Sequence, residues 1–375
     1  MADFSKNKYF YHRVALIGTG LIGGSIGIAL REKRLVDNII CYDRDPEAGK
    51  QAVLRGAADQ VAQTLIEAVE GAELIILAVP VLSVVNIIKE LLPSVGVKAL
   101  ITDVGSTKAS IMKEVESLLT KKTYFIGGHP MAGSEESGIK GADPGLLENA
   151  IYVLTPAKDT PLDVLEKFKT MLSEAGAQPL VLDPLTHDQV VASVSHLPHL
   201  VASALVQSVA GSGNMELVRT LAAGGFRDST RIAMANPEMW RDICISNRSA
   251  LKDVLSEFKK SINDLEGYLL ESNAEAIEEY LQQARDYRNS IPYRGRGILP
   301  ELFEVIVLVR DTPGVIGKLT GLLGEAGINI DAIEILHVRE LAGGSIRLGF
   351  RNKDNQEKAI KLLNHKGYRT HSSKN

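Results

Sequence analysis

Three successive textures predict a chain in three parts: a doubly wound α/β domain, an all-α segment and a small α+β domain. Over the first half, apolar runs of strand length alternate with amphipathic stretches of helical period. From about residue 186 the strand signal disappears and a 3.6-residue period takes over. From about residue 301 strand and helix patterns resume in the order βαββαβ. The predicted boundaries are 1–185, 186–290, a linker over 291–300, and 301–375.

A chain of 375 residues can hold two or three domains, each with its own core. Its hydrophobic content of 45% and charged content of 23% are ordinary for a globular protein. A net charge of −4 gives no reason to expect nucleic acid or an anionic membrane as partner. Two cysteines, Cys41 and Cys244, make no disulfide framework and fit a reducing, cytoplasmic setting. The first residues lack the apolar run of a secretory signal. The most apolar stretch, 72–88, is broken by Glu73, Pro80 and Asn86, and reads as a strand entering a helix, not as a membrane span.

The first element is an apolar strand over 14–18. Gly18, Gly20 and Gly23 follow in G-x-G-x-x-G spacing, then a helix over 22–33 and a second strand over 38–42 that ends at Asp43. Strand, glycine turn, helix, strand and acid in that order are the dinucleotide-binding pattern of a Rossmann-type domain. Gly18 permits the tight turn. Gly20 lets backbone N–H groups approach a pyrophosphate at the helix N-terminus, with Leu21 and Ile22 beside it, and Gly23 lets helix and strand pack closely. Asp43 stands where an acid accepts the hydrogen bonds of the adenosine ribose. Its charge repels a 2′-phosphate, which favours NAD over NADP; Arg44 could soften that preference.

Further strands are predicted at 73–79, 99–103, 123–126, 150–155 and 178–182, with a helix over 107–120. Ligands of such sheets sit at the carboxyl ends of the strands. Three polar motifs fall there: Ala78-Val79-Pro80, whose valine and proline are candidate cofactor contacts; Asp103-Val-Gly-Ser106-Thr-Lys108; and Gly127-Gly-His129-Pro-Met-Ala-Gly133. His129 is read as a residue of a glycine-rich loop. A dehydrogenase must withdraw a hydroxyl proton as hydride leaves, and histidine suits that near neutral pH. A loop histidine bonded to backbone is the plainer alternative.

Helices are predicted near 186–211, 214–223, 226–233, 237–246 and 247–286. Their long apolar stripes suit pairing across a two-fold axis, so a homodimer is expected. Ser195-His196-Leu-Pro-His199 sets two histidines at i, i+3. A metal would need a third ligand at a matching spacing, and Pro198 intrudes; hydrogen bonding to a polar substrate, or between the histidines, is the stronger reading. Gly224-Gly-Phe-Arg227-Asp-Ser-Thr-Arg231 sets two arginines at i, i+4 after a glycine turn. They form a solvated face or a carboxylate site, the latter favoured because guanidinium groups bind carboxylates bidentately. In the last part, strands at 302–309, 329–337, 345–351 and 368–371 with helices at 313–326 and 356–366 make a ferredoxin-like domain without a catalytic cluster.

Together, Gly127-Gly-His-Pro-Met-Ala-Gly-Ser-Glu135, Ser195-His-Leu-Pro-His199 and Gly224-Gly-Phe-Arg-Asp-Ser-Thr-Arg231 resemble the prephenate dehydrogenase family of tyrosine biosynthesis over nearly the whole chain. Asp311-Thr-Pro-Gly314 and Ala326-Gly-Ile-Asn-Ile330 resemble the ACT regulatory domain of some members. The resemblance implies that His129 deprotonates the ring hydroxyl of prephenate, with Ser106 holding that hydroxyl or the histidine. It implies that His196 and His199 line the substrate pocket, and that Arg231 binds a carboxylate with Gly224 and Arg227 nearby. Arg227 stands where lysine also occurs in the family. Glu135 and Asp188 would gate access. The ACT part would bind L-tyrosine as effector through Asp311, Pro313, Gly314 and Asn329.

Rival readings are an arogenate dehydrogenase of the same family, a β-hydroxyacid dehydrogenase, and a non-catalytic sensor of NAD and an amino acid. The second usually employs a helical lysine where this chain has a histidine. The third has no use for a proton acceptor.

Overall fold

The computed structural model describes residues 8–119, 123–133, 136, 138–211, 215–291, 302–309, 312–336 and 344–372. They form two compact units, 1–289 and 290–375.

In the first unit an eight-stranded sheet contains β1 (Tyr11–Ile17), β2 (Val36–Tyr42), β3 (Gln60–Val61), β4 (Leu74–Leu77), β5 (Leu100–Asp103), β6 (Tyr124–Pro130), β7 (Ile151–Pro156) and β8 (Gln178–Val181). Their order across the sheet is β3-β2-β1-β4-β5-β6-β7-β8, parallel throughout except between β6 and β7. Helices α1 (Leu21–Glu32), α2 (Pro46–Leu54), α3 (Leu65–Val69), α4 (Val84–Leu91), α5 (Ala109–Leu118) and α6 (Leu162–Glu174) join the strands. Alternate residues of β1 feed two cores. Val14 and Leu16 pack with α1 and α6, while Ala15 and Ile17 pack with α3, α4 and α5. That is the two-faced burial a doubly wound sheet requires. The chain reverses direction across the sheet between β1 and β4, so their carboxyl ends open the crevice where such folds hold ligands. The short strand β3 has no counterpart in the sequence reading.

One difference bears on the site. The predicted strand 123–126 continues to Pro130, so His129 lies on β6 and not in a loop. β6 pairs with β5 through Ile126 and from there to Pro130 runs antiparallel to β7, His129 opposite Val153. The glycines that suggested a loop serve close approach instead. A Cβ on Gly128 would lie 2.5 Å from the Asp103 carbonyl oxygen, and one on Gly127 would lie 2.3 Å from the Thr155 hydroxyl.

The helical part holds α7 (Pro184–Val191), α8 (Leu197–Ala210), α9 (Met215–Leu221), α10 (Gly224–Thr230), α11 (Pro237–Ser246), α12 (Arg248–Leu270) and α13 (Ala274–Ser290). The predicted helix 186–211 is thus two helices, joined by a π-turn over Ala192–His196. The predicted helix 247–286 is a hairpin. Ser272 takes φ 52°, Asn273 caps α13 through Ala276 N–H at 3.1 Å, and Ser261 Oγ meets Tyr280 Oη across the hairpin at 2.6 Å. The run Pro184–Ala210 is long and apolar enough to cross a bilayer by length and composition, with 28% of its most apolar window buried.

The second unit has β9 (Phe303–Val309), α14 (Val315–Glu325), β10 (Ala332–Leu336), β11 (Gly344–Phe350), α15 (Lys353–His365) and β12 (Arg369–Ser372). Its antiparallel sheet, in the order β10-β11-β9-β12, is ferredoxin-like. Val305, Val307, Leu319, Leu323, Leu348, Phe350 and Leu363 fill its core.

Candidate active site

The glycine turn has the shape a dinucleotide needs. Gly18 adopts φ 90°, and a Cβ there would lie 2.2 Å from the Ala78 carbonyl oxygen and 3.2 Å from Val79. The same test at Gly23 meets the Gly18 carbonyl oxygen at 2.2 Å, whereas at Gly20 it meets nothing within 4 Å. Gly18 and Gly23 are therefore committed to packing, and Gly20, N-cap of α1, faces open space. No side chain caps α1, so its first N–H groups and the positive end of its dipole suit an anion. Asp43 holds the turn: Oδ2 accepts from Thr19 N–H at 2.7 Å and from the Thr19 hydroxyl at 2.9 Å, and Oδ1 accepts from Asp45 N–H at 3.0 Å. A carboxylate has about four acceptor positions, so Asp43 keeps capacity for a ribose hydroxyl. Val79 is half-buried against the turn and Pro80 is exposed behind it. These residues fit NAD.

Beyond β5 and β6 lies a buried polar cluster. The loop after β5 is tied down by Asp103 and Lys108, an ion pair of two fully buried side chains. Asp103 also accepts from Gly105 N–H at 2.8 Å and Gly128 N–H at 3.2 Å, which fixes the loop against β6 one residue before His129. Burial pulls the Lys108 pKa down, while Asp103 pulls it up.

His129 is buried on β6 with its Nδ1 2.8 Å from His187 Nε2. His187 Nδ1 in turn lies 2.8 Å from Asp188 Oδ1. Asp188 accepts from Lys108 N–H at 2.7 Å and Ala109 N–H at 2.9 Å, the entrance of α5. Asn247 donates to the Asp188 carbonyl at 2.8 Å and lies 3.2 Å from His196 Nδ1. Burial, and then the charges of His187, Lys108 and His196, hold His129 well below the usual imidazole pKa, so it is a neutral base near pH 7. Burial likewise lowers His196 to about 4.

The π-turn brings His196 into this region, and Pro198 is tolerated because it falls in the first turn of α8. His199 stacks on Trp240 with ring centroids 3.6 Å apart, and His196 meets the same indole edge-on at 5.9 Å. Among the described residues, Trp240 Nε1 and His199 Nδ1 are buried without a hydrogen-bond partner, two polar atoms suited to a polar ligand. Gly224 opens α10, with exposed Arg227 within it. The helix ends at Thr230, and exposed Arg231 starts a 3₁₀ turn over Arg231–Met234. The two arginines therefore do not share one continuous α-helical face, contrary to the sequence expectation. Thr230 ends the helix by turning its hydroxyl back to the Phe226 carbonyl at 2.6 Å.

Ser106 is half-buried in the loop after β5, while the partner of His129 Nδ1 is His187. Glu135 and Asp311 lie outside the described residues. Gly314 takes φ 83° at the entrance of α14, beside Pro313. Asn329 precedes β10 instead of starting it, and donates to Asp331 at 3.1 Å. His187, Trp240 and Asn247 were not singled out by the sequence, and Lys108 entered only as the end of a polar motif. His187 had one available signal, its position next to Asp188 four residues after the Asp183 cap.

The prephenate dehydrogenase nucleotide-binding domain family matches residues 26–181, the prephenate dehydrogenase dimerization domain family 183–283, and the ACT domain family 303–357. Prephenate dehydrogenase of Bacillus subtilis is 38% identical over 352 residues, 93% of this chain and 95% of that one. Aquifex aeolicus prephenate dehydrogenase, solved with hydroxyphenyl propionate and NAD+, superposes with a TM-score of 0.70 at 33% identity, covering 75% of this chain and 98% of its own. Synechocystis arogenate dehydrogenase superposes with 0.66 at 32% identity, covering 75% and 100%. The chain belongs to the prephenate dehydrogenase family of NAD-dependent dehydrogenases.

Proposed function

We propose that this protein converts prephenate to 4-hydroxyphenylpyruvate and CO₂ with NAD, as a step of tyrosine biosynthesis regulated by an aromatic amino acid. The observation that carries this reading is His129, a buried neutral base at the carboxyl end of β6, two strands across the sheet from β4, after which Val79 packs against the cofactor turn. NAD, when bound, supplies the hydride acceptor. Gly18, Gly20, Leu21, Ile22, Gly23, Asp43, Val79 and Pro80 hold it. His129 Nε2 takes the proton of the ring hydroxyl, with Ser106 steadying the hydroxyl. His196 and His199 line the substrate pocket. Arg231, with Arg227 and Gly224, fixes a substrate carboxylate. Loss of the ring carboxylate is driven by aromatisation, so the protein has only to orient it.

The helical part is read as the homodimer interface. Val190, Val194 and Leu205 are exposed along 184–210, yet the same run is anchored through Asp188 to the N–H groups at the entrance of α5. Subunit pairing accounts for that apolar face better than a bilayer does, and the protein is read as a soluble cytoplasmic enzyme. Arogenate as substrate is the second reading, favoured by the likeness to the Synechocystis enzyme. Following NADH absorbance with prephenate and then arogenate, each with NAD and NADP, tests both. The proposal expects the higher kcat/KM with prephenate and NAD. Turnover of arogenate alone would replace it with the second reading.

A further inference from the structure

The chain Asp188–His187–His129 fixes more than position. Both Asp188 carboxylate oxygens receive backbone N–H groups, from Lys108 and Ala109. Asp188 is therefore an acceptor, and His187 Nδ1, 2.8 Å away, must donate to it. With its one ring proton on Nδ1, His187 offers only a lone pair at Nε2. His129 Nδ1, 2.8 Å from that atom, must donate in turn. This leaves the lone pair of His129 on Nε2.

We infer that His187 is a positioning residue that selects the Nδ1–H tautomer of His129, so that Nε2 is the atom that accepts the substrate proton. The inference rests on the reading of His129 as the base. In the step, the substrate O–H bond breaks and the His129 Nε2–H bond forms. The imidazolium keeps its Nδ1–H bond to His187, so no hydrogen bond is lost as the charge appears. The positive charge then lies one imidazole from the Asp188 carboxylate. Lys108 and His196 are the other titratable groups facing His129, and both oppose its protonation. His187 is entirely buried, so water does not compete for either of its nitrogens.

The first test needs no substrate. Protein labelled with ¹⁵N-histidine, with the His129 signals identified from H129N among the eight histidines, is observed by NMR above the acid limb of activity. The expected result is a protonated Nδ1 and an unprotonated Nε2 on His129. A protonated Nε2 in the wild type overturns the inference. The second test is kinetic. His187→Leu should lower kcat roughly 10²-fold, in the range for loss of effective general-base catalysis, and move His129 toward the Nε2–H form. KM for prephenate and NAD should change less than about threefold, since neither is bound by His187. His187→Gln keeps an acceptor oxygen for His129 Nδ1–H and should restore at least about tenfold of that loss. Unchanged kcat and tautomer in H187L, or equal damage in H187L and H187Q with the tautomer intact, would reduce His187 to packing. If H187L does not fold, the wild-type spectrum and H187Q decide. Should the protein fail to oxidise prephenate, the spectrum still reads the tautomer, so the two proposals fail separately.

Discussion

At the scale of single residues, burial decides the chemistry. An exposed imidazole titrates near 6.5; His129 is pushed well below that, first by desolvation and then by His187, Lys108 and His196. Its base form therefore persists as pH falls through 6.5, and the acid limb of kcat should lie well below that value in a pH–rate profile. His129→Asn should lower kcat by roughly 10²–10⁴ and abolish that limb, leaving NAD affinity measured by fluorescence titration unchanged. Full activity with the wild-type profile would remove His129 from the mechanism. The proposed role of Arg231 is in binding instead. A charge-assisted hydrogen bond is worth about 1.5–3 kcal/mol, so Arg231→Ala should raise KM for prephenate roughly 10- to 150-fold. If NAD binding fails and KM for prephenate does not move, the carboxylate is bound elsewhere.

At the scale of elements, the site is a junction between the loop after β5, the end of β6 and the α7–α8 turn. Asp103 holds the first two together through Lys108 and the N–H groups of Gly105 and Gly128. Lys108→Met would leave a fully buried carboxylate unpaired, which costs about 3–5 kcal/mol. The urea midpoint should fall accordingly, and adding Asp103→Asn should recover part of the loss because the orphaned charge is gone. A loss under about 1 kcal/mol would mean that the pair is not what fixes the loop. This junction was only half legible in the sequence. Strand-length apolar runs and the glycine spacing gave the parallel sheet and the cofactor turn, because both are local patterns. The sequence singled out His129 as a candidate base, but its glycine neighbours suggested a loop, since the close approaches of Asp103 and Thr155 that require glycine are long-range. The break between α12 and α13 contains neither glycine nor proline, and rests on Ser272 in a left-handed conformation with Asn273 as a cap. The π-turn at 192–196 is marked only by Pro198 beyond it, which signals an interruption but not its form. Asp103 and Lys108 were visible as the ends of one polar motif, but their burial as a pair was not, and His187 looked like an ordinary polar residue because His129 lies 58 positions away.

At the scale of the whole molecule, two units with separate cores share one chain. The second has no cluster of catalytic residues among those described, and its α14 begins at Gly314 without a side-chain cap. An uncapped helix entrance beside Pro313 offers N–H groups to an amino-acid carboxylate, and Asn329 would be released from Asp331 if it joins the ligand. Binding there can inhibit the first unit only through a coupling free energy, typically about 1–3 kcal/mol, or 5- to 150-fold in substrate affinity. L-Tyrosine should therefore raise KM for prephenate in the full chain by a factor in that range. A chain ending near residue 298 keeps the whole first unit and should retain kcat while losing most of the tyrosine effect. The alternative is that tyrosine resembles the aromatic product and competes at the active site, the second unit serving only assembly. Inhibition kinetics on the shortened chain separate the two, because a competitive constant unchanged by truncation would assign the effect to the active site, and binding of tyrosine to the full chain but not to the shortened one would assign it to residues 301–375.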